Sequence, residues 1–155
     1  MAPRPQFDQG LAFFVTGMSK TELLAVKTDG EGDVTGTKVA WRLKTHVGKY
    51  ASPILVDGLL YTAAEESFVT CLEAATGQTI WTERIGGKYA ASPVDADNRL
   101  YFFSQDGTTT VLKPGRTFEV LATNKLANGF MASPAVAARA FYLRTKTHLY
   151  RVEDT

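Results

Sequence analysis

This sequence predicts an all-β fold, a β-propeller of about four four-stranded antiparallel blades. Three observations carry that expectation. The first is a repeat. Residues 49–61 (KYASPILVDGLLY) return as 88–101 (KYAASPVDADNRLY) and again as 130–142 (FMASPAVAARAFY). Ser52, Ser92 and Ser133 are 40 and 41 residues apart, and so are Tyr61, Tyr101 and Tyr142. A period of about forty, with short strands inside each repeat, marks propeller blades. The second observation is turn chemistry. Asp57-Gly58 falls between two short apolar runs, which is a hairpin signal. The third is the pattern of the second strands. Residues 11–15 (LAFFV) and 100–103 (LYFF) are apolar at consecutive positions. A strand with one wet face alternates, so both faces of these strands must be covered, as they are when blades stack side by side.

The elements follow in order. A degraded copy opens the chain, with 3–13 (PRPQFDQGLAF) aligned on 51–61 (ASPILVDGLLY). Its offset is 48, because 27–41 (KTDGEGDVTGTKVAW) is longer than 73–81 (EAATGQTIW). Four blade registers result, roughly 1–45, 46–85, 86–125 and 126–155, within one domain of 155 residues. In the second, 50–56, 59–63, 68–72 and 78–83 read as strands, with turns at Asp57-Gly58 and 74–77. In the third, 100–104, 108–112 and 117–121 are strands, with turns at Asp97-Asn98, 105–107 and Pro114-Gly115. No stretch sustains a helical apolar period. Proline cannot donate to a ladder and belongs at a strand start or a sheet edge. Pro5, Pro53, Pro93 and Pro134 therefore mark the starts of four innermost strands.

Composition narrows the function classes. The chain is 45% hydrophobic and 21% charged, ordinary for a globular protein. Its formal net charge of +1 argues against nucleic acid or an anionic membrane held by bulk charge. No apolar run approaches the length of a membrane span, and the opening residues lack the apolar core of a secretory signal. Cys71 is the single cysteine, so no internal disulfide forms and the compartment is not diagnosed.

The fourth strand of the second register begins with an A-x-T-G-x-x-x-W motif, 74–81 (AATGQTIW), and Trp41 is its counterpart in the first register. A large ring on an outermost strand can pack against the next blade. Burying a tryptophan removes roughly 150–250 Å² from water, worth about 4–6 kcal/mol before entropy losses. Thr76 and Gly77 make the turn into that strand, and glycine is free to take φ > 0. The third register has 114–118 (PGRTF) in place of the tryptophan motif. With the Ser-Pro blade openings, this motif resembles the PQQ-like, or quinoprotein-like, repeat family of eight-bladed β-propellers, over the whole chain. That resemblance implies half of a propeller, an extracytoplasmic or periplasmic setting for a full-length protein, and either a homo-oligomer or a missing half to cover the open flanks.

Dehydrogenases of that superfamily bind pyrroloquinoline quinone and calcium through a vicinal cysteine pair, a tryptophan floor and an acidic metal set. Here one cysteine stands alone and no position matches the metal set, so no cofactor is expected. Residues 95–98 (DADN) and 29–33 (DGEGD) are read as turn and solvated loop rather than calcium sites. His46 and His148 lack ligand spacing, and Cys71 reads as a buried, inert thiol. Two candidate groups remain. Ser52, Ser92 and Ser133 either line a wet central channel or satisfy nearby backbone groups. Lys49 and Lys88, in the repeated Gly-Lys-Tyr, either present a small basic patch to a partner or are alike by repeat descent. The function expected is a non-enzymatic scaffold that binds a protein or peptide, similar to the propellers of outer-membrane assembly. The alternative is the later part of a quinone-dependent dehydrogenase.

Overall fold

The described residues, 3–17 and 19–153 of a computed structural model, form four antiparallel sheets in chain order and no helix. The first sheet is β1 (Gln6–Asp8), β2 (Leu11–Thr16), β3 (Glu22–Lys27) and β4 (Val39–Leu43). The second is β5 (Ile54–Val56), β6 (Leu59–Ala63), β7 (Phe68–Glu73) and β8 (Thr79–Arg84). The third is β9 (Val94–Ala96), β10 (Arg99–Phe103), β11 (Thr108–Leu112) and β12 (Val120–Lys125). The fourth holds β13 (Ala135–Ala137), β14 (Ala140–Arg144) and β15 (Leu149–Glu153). Each is a meander whose neighbours in sequence are neighbours in the sheet. Asp154 and Thr155, at the end of the fourth register, lie outside the described residues.

The innermost strands are short because proline sets their start. β1, β5, β9 and β13 each begin at the residue after Pro5, Pro53, Pro93 and Pro134. The first strand of the second register is accordingly three residues, not the 50–56 that the apolar run suggested. The outer strand of the third sheet also differs. It runs from Val120 to Lys125 rather than over 117–121, because 114–118 loops back toward the second sheet.

Cores lie between sheets, one per junction. Phe13, Leu23, Leu60 and Leu72 anchor the first junction. Tyr61, Val69, Tyr89, Leu100, Phe102 and Leu112 anchor the second. Phe103, Phe130 and Leu143 anchor the third. Leu60 of β6 faces the first sheet while Tyr61 faces the third, and all five β6 residues are buried. Covering both faces is what makes consecutive apolar residues stable in one strand.

Candidate functional site

Two rows of fasteners cross the junctions, and both use residues that the repeat singles out. On the inner side, the backbone N–H of Arg4 donates to Ser52 Oγ at 2.8 Å. Ser52 N–H donates to Ser92 Oγ at 3.0 Å, and Ser92 N–H to Ser133 Oγ at 2.9 Å. Each hydroxyl thus satisfies an amide of the preceding blade. Ser52 and Ser92 are half-buried and Ser133 is exposed.

On the outer side, the Trp41 indole N–H donates to the Ala74 carbonyl at 2.9 Å. Its ring lies over Gly77, where an added methyl group would come within 2.5 Å of the indole. Gly77 also has φ +73, a left-handed conformation that β-carbons disfavour. Two requirements therefore coincide at one glycine: the turn and the neighbouring blade's ring. Thr76 closes the same turn, its hydroxyl accepting the Gln78 N–H at 3.3 Å. The arrangement recurs one blade on. Trp81 Nε1–H donates to the Gly115 carbonyl at 3.2 Å, and the Gly115 N–H donates to the Tyr61 hydroxyl at 2.9 Å. Arg116 pairs with Glu73 beside it.

The third sheet departs from this pattern. Pairing places Trp81 opposite Cys71 and Ala122 opposite Val111, so Ala122, not the 114–118 stretch, holds the tryptophan's register. Phe118 turns back and packs edge-on against Trp81 at 5.2 Å. It completes the junction behind it rather than the one ahead.

The two lysines do not share a setting. Ser52 and Ser92 are equivalent, and counting back from each makes Tyr89, not Lys88, the counterpart of Lys49. Tyr89 is buried between sheets, and burial pushes its hydroxyl up to about 12. Tyr50 is 43% exposed, with the Lys49 ammonium 5.6 Å from its ring centre. Lys88 is exposed, and its carbonyl accepts the Gln105 N–H at 2.8 Å. One residue more in the third register moves the repeated tyrosine from rim to core.

Lys49 borders a feature that no motif announces. Its N–H donates to Glu65 Oε1 at 2.8 Å. Glu65 lines an open cleft of about 570 Å³ between the rims of the first two sheets, with Lys20, Glu22, Lys44, His46 and Glu66. Lys44 and Arg42 both approach Glu22, at 3.9 and 3.2 Å. The cleft is lined by the β2–β3, β4–β5 and β6–β7 connections with Glu22 at the start of β3, and none of its charged residues falls in a sequence motif.

The remaining groups are engaged structurally. Cys71 is fully buried, and burial pushes its thiol up to about 11, which suppresses the nucleophilic thiolate. The Lys38 ammonium bonded to Asp29, at 3.1 Å, holds that carboxyl below its usual value, and the Thr35 N–H does the same for Asp33. Asp97 pairs with Arg99 at 2.8 Å. The His46 ring lies tilted against Phe68 and His148 meets Thr147, in connections of different registers. The tryptophan floor that the resemblance implies for a quinone is supplied by neither indole here, because both are spent on the next blade's turn. No helix among the described residues is long and apolar enough to cross a membrane.

Comparison with known proteins agrees with the architecture. A family model described as outer membrane protein assembly factor BamB, of the PQQ-like repeat type, matches residues 5–155. No curated protein matches the chain. Among solved structures, BamB from Moraxella catarrhalis is 17% identical with a TM-score of 0.67, covering 89% of this chain and 40% of that one. A europium-containing methanol dehydrogenase is 10% identical with a TM-score of 0.61, covering 78% of this chain and 24% of that one. The computationally designed Ika4 protein is 14% identical with a TM-score of 0.70, covering 96% of this chain and 88% of that one. The chain thus spans less than half the length of the natural propellers it resembles.

Proposed function

The chain belongs to the family of the outer membrane protein assembly factor BamB, and we propose that it is a non-enzymatic propeller scaffold that binds an extended segment of another protein. The observation that carries this reading is the rim cleft between the first two sheets. It is open, and it sets Lys20 and Lys44 beside Glu22, Glu65 and Glu66. Side chains of both signs around a trough suit a polypeptide, whose backbone and side chains offer donors and acceptors along their length. Exposed Tyr50, next to Lys49, adds an aromatic contact of the type enriched at interfaces. By analogy with the family's name, the partner is a component of outer-membrane protein assembly.

Selection of linear peptides from a displayed random library on the folded chain tests this. The expected result is a set of peptides that bind the parent and lose at least ten-fold in affinity to Lys44→Glu or Glu66→Lys. Peptides unaffected by both substitutions would place binding elsewhere. Calorimetry supplies the decisive contrary outcome. Stoichiometric binding of pyrroloquinoline quinone or calcium, at micromolar affinity or better, would favour a dehydrogenase-derived propeller.

A further inference from the structure

The two end flanks of the four-sheet arc are unlike, and their difference is complementary. Residues paired across strands share a face, so each sheet has a leading face toward the sheet before it and a trailing face toward the sheet after. On the leading faces of the second and third sheets, Leu60, Leu72, Leu100, Phe102 and Leu112 are buried against a neighbour. The first sheet carries Ala12, Phe14 and Val26 at corresponding places, with Phe7 opposite Ala12. Phe7 is 67% exposed. The fourth sheet's trailing face carries exposed Ala137, half-buried Tyr142 and, already buried within the chain, Ala140, with the Arg151–Glu153 ion pair across from Tyr142 and Ala140.

The junction between the third and fourth sheets shows which positions face one another. The Tyr101 ring is 4.7 Å from that of Phe141. Ala96 and Arg99 share a cleft with Val136 and Val152. Carried one blade further by register, Tyr142 takes the place of Tyr101 and Ala12 that of Phe141. Ala137 and Ala140 replace Ala96 and Arg99, while Phe7 and Val26 replace Val136 and Val152. A large ring then faces a small residue at both points, Tyr142 facing Ala12 and Phe7 facing exposed Ala137.

We propose that a second copy of this chain is the occupant. The fourth sheet of one copy docks on the first sheet of the other, and the same contact recurs around a twofold axis to close a ring of eight sheets. Continuity with the three existing junctions and the size match of Tyr142 to Ala12 and of Phe7 to exposed Ala137 support this occupant. The contact is weaker than an internal junction for two visible reasons. Arg4 stands where a serine hydroxyl accepts an amide in the other blades, and an arginine side chain has no acceptor. The fourth sheet also contributes no outer-strand indole among the described residues. Reversible association follows. The proposal does not depend on the scaffold reading.

Sedimentation velocity across a hundred-fold range of concentration tests it, with no partner present. The expected result is a species of twice 16.9 kDa that gives way to monomer on dilution. Phe7→Asp, at an exposed position outside the cores, should raise the apparent dissociation constant at least ten-fold with no change in the urea midpoint. Ala12→Tyr should do the same, and adding Tyr142→Ala to it should restore association. A monomer at every concentration overturns the proposal. So does a dimer indifferent to Phe7→Asp and Ala12→Tyr, or an open series of larger oligomers.

Discussion

Between the second and third sheets, ten buried residues form one cluster, and Trp81, Gly115, Tyr61 and the Glu73–Arg116 pair lock its outer side. Between the third and fourth sheets the buried cluster has four residues, and a cleft of about 620 Å³ stays open beside it. Both junctions have the serine-to-amide hydrogen bond. That bond therefore aligns neighbouring blades but does not fill the space between them. Filling needs a ring from the outer strand, and the third sheet has Ala122 where the second has Trp81. Its outer strand β12 is exposed at all six positions as a consequence.

The largest test of this contrast is Trp81→Ala. Removing a large packed ring costs about 3–5 kcal/mol, read from urea melts, and the indole's hydrogen bond to Gly115 goes with it. A loss under about 1 kcal/mol, well short of that range, would show that the ring does not hold the junction.

A pair of glycine substitutions separates the turn from the docking. Gly58 and Gly77 have nearly the same φ, +75 and +73, but only Gly77 lies under an indole. Gly58→Ala should cost about 1 kcal/mol of backbone strain. Gly77→Ala should cost about 2–3 kcal/mol, because Trp41 must also shift. Equal losses in thermal or urea unfolding would mean that the ring adds nothing to the requirement for glycine.

Ser92→Ala tests the inner row. It removes the acceptor of the Ser52 amide, with an expected loss of about 1 kcal/mol. The loss should appear in unfolding, and hydrogen exchange at Ser52 should accelerate.

The smallest effect concerns Asp95 on the innermost strand β9. Burial, with Asp57 nearby, raises the Asp95 carboxyl above its ordinary value. Ionisation is then less favourable in the folded chain than in the unfolded one. Stability is lost as pH rises through the raised folded value, and is regained below the unfolded value near 3.8. Asp95→Asn should stabilise the chain at neutral pH by less than about 0.5 kcal/mol, and the gain should vanish in acid. A substitution that destabilises at neutral pH would contradict this sign.

The sequence by itself determined the propeller, the places of the inner-strand prolines and the pairing order within each sheet. Those features are local: a hairpin pair such as Asp57-Gly58, a proline without a donor, and a strand apolar on both sides, such as 59–63, act over a few residues and repeat about every forty. Only the tertiary structure decided what each repeated residue touches. Gly77 is matched to Trp41, 36 positions earlier, and each serine hydroxyl to an amide one blade back. Tyr50 and Tyr89 share a motif, yet one faces water and the other a core. In the third sheet, the tryptophan's register passed to Ala122 while Phe118 faced backward. The physical reason is the period of two in a strand. A shift of one residue exchanges its faces, and which face meets a neighbour is settled only when the sheets pack.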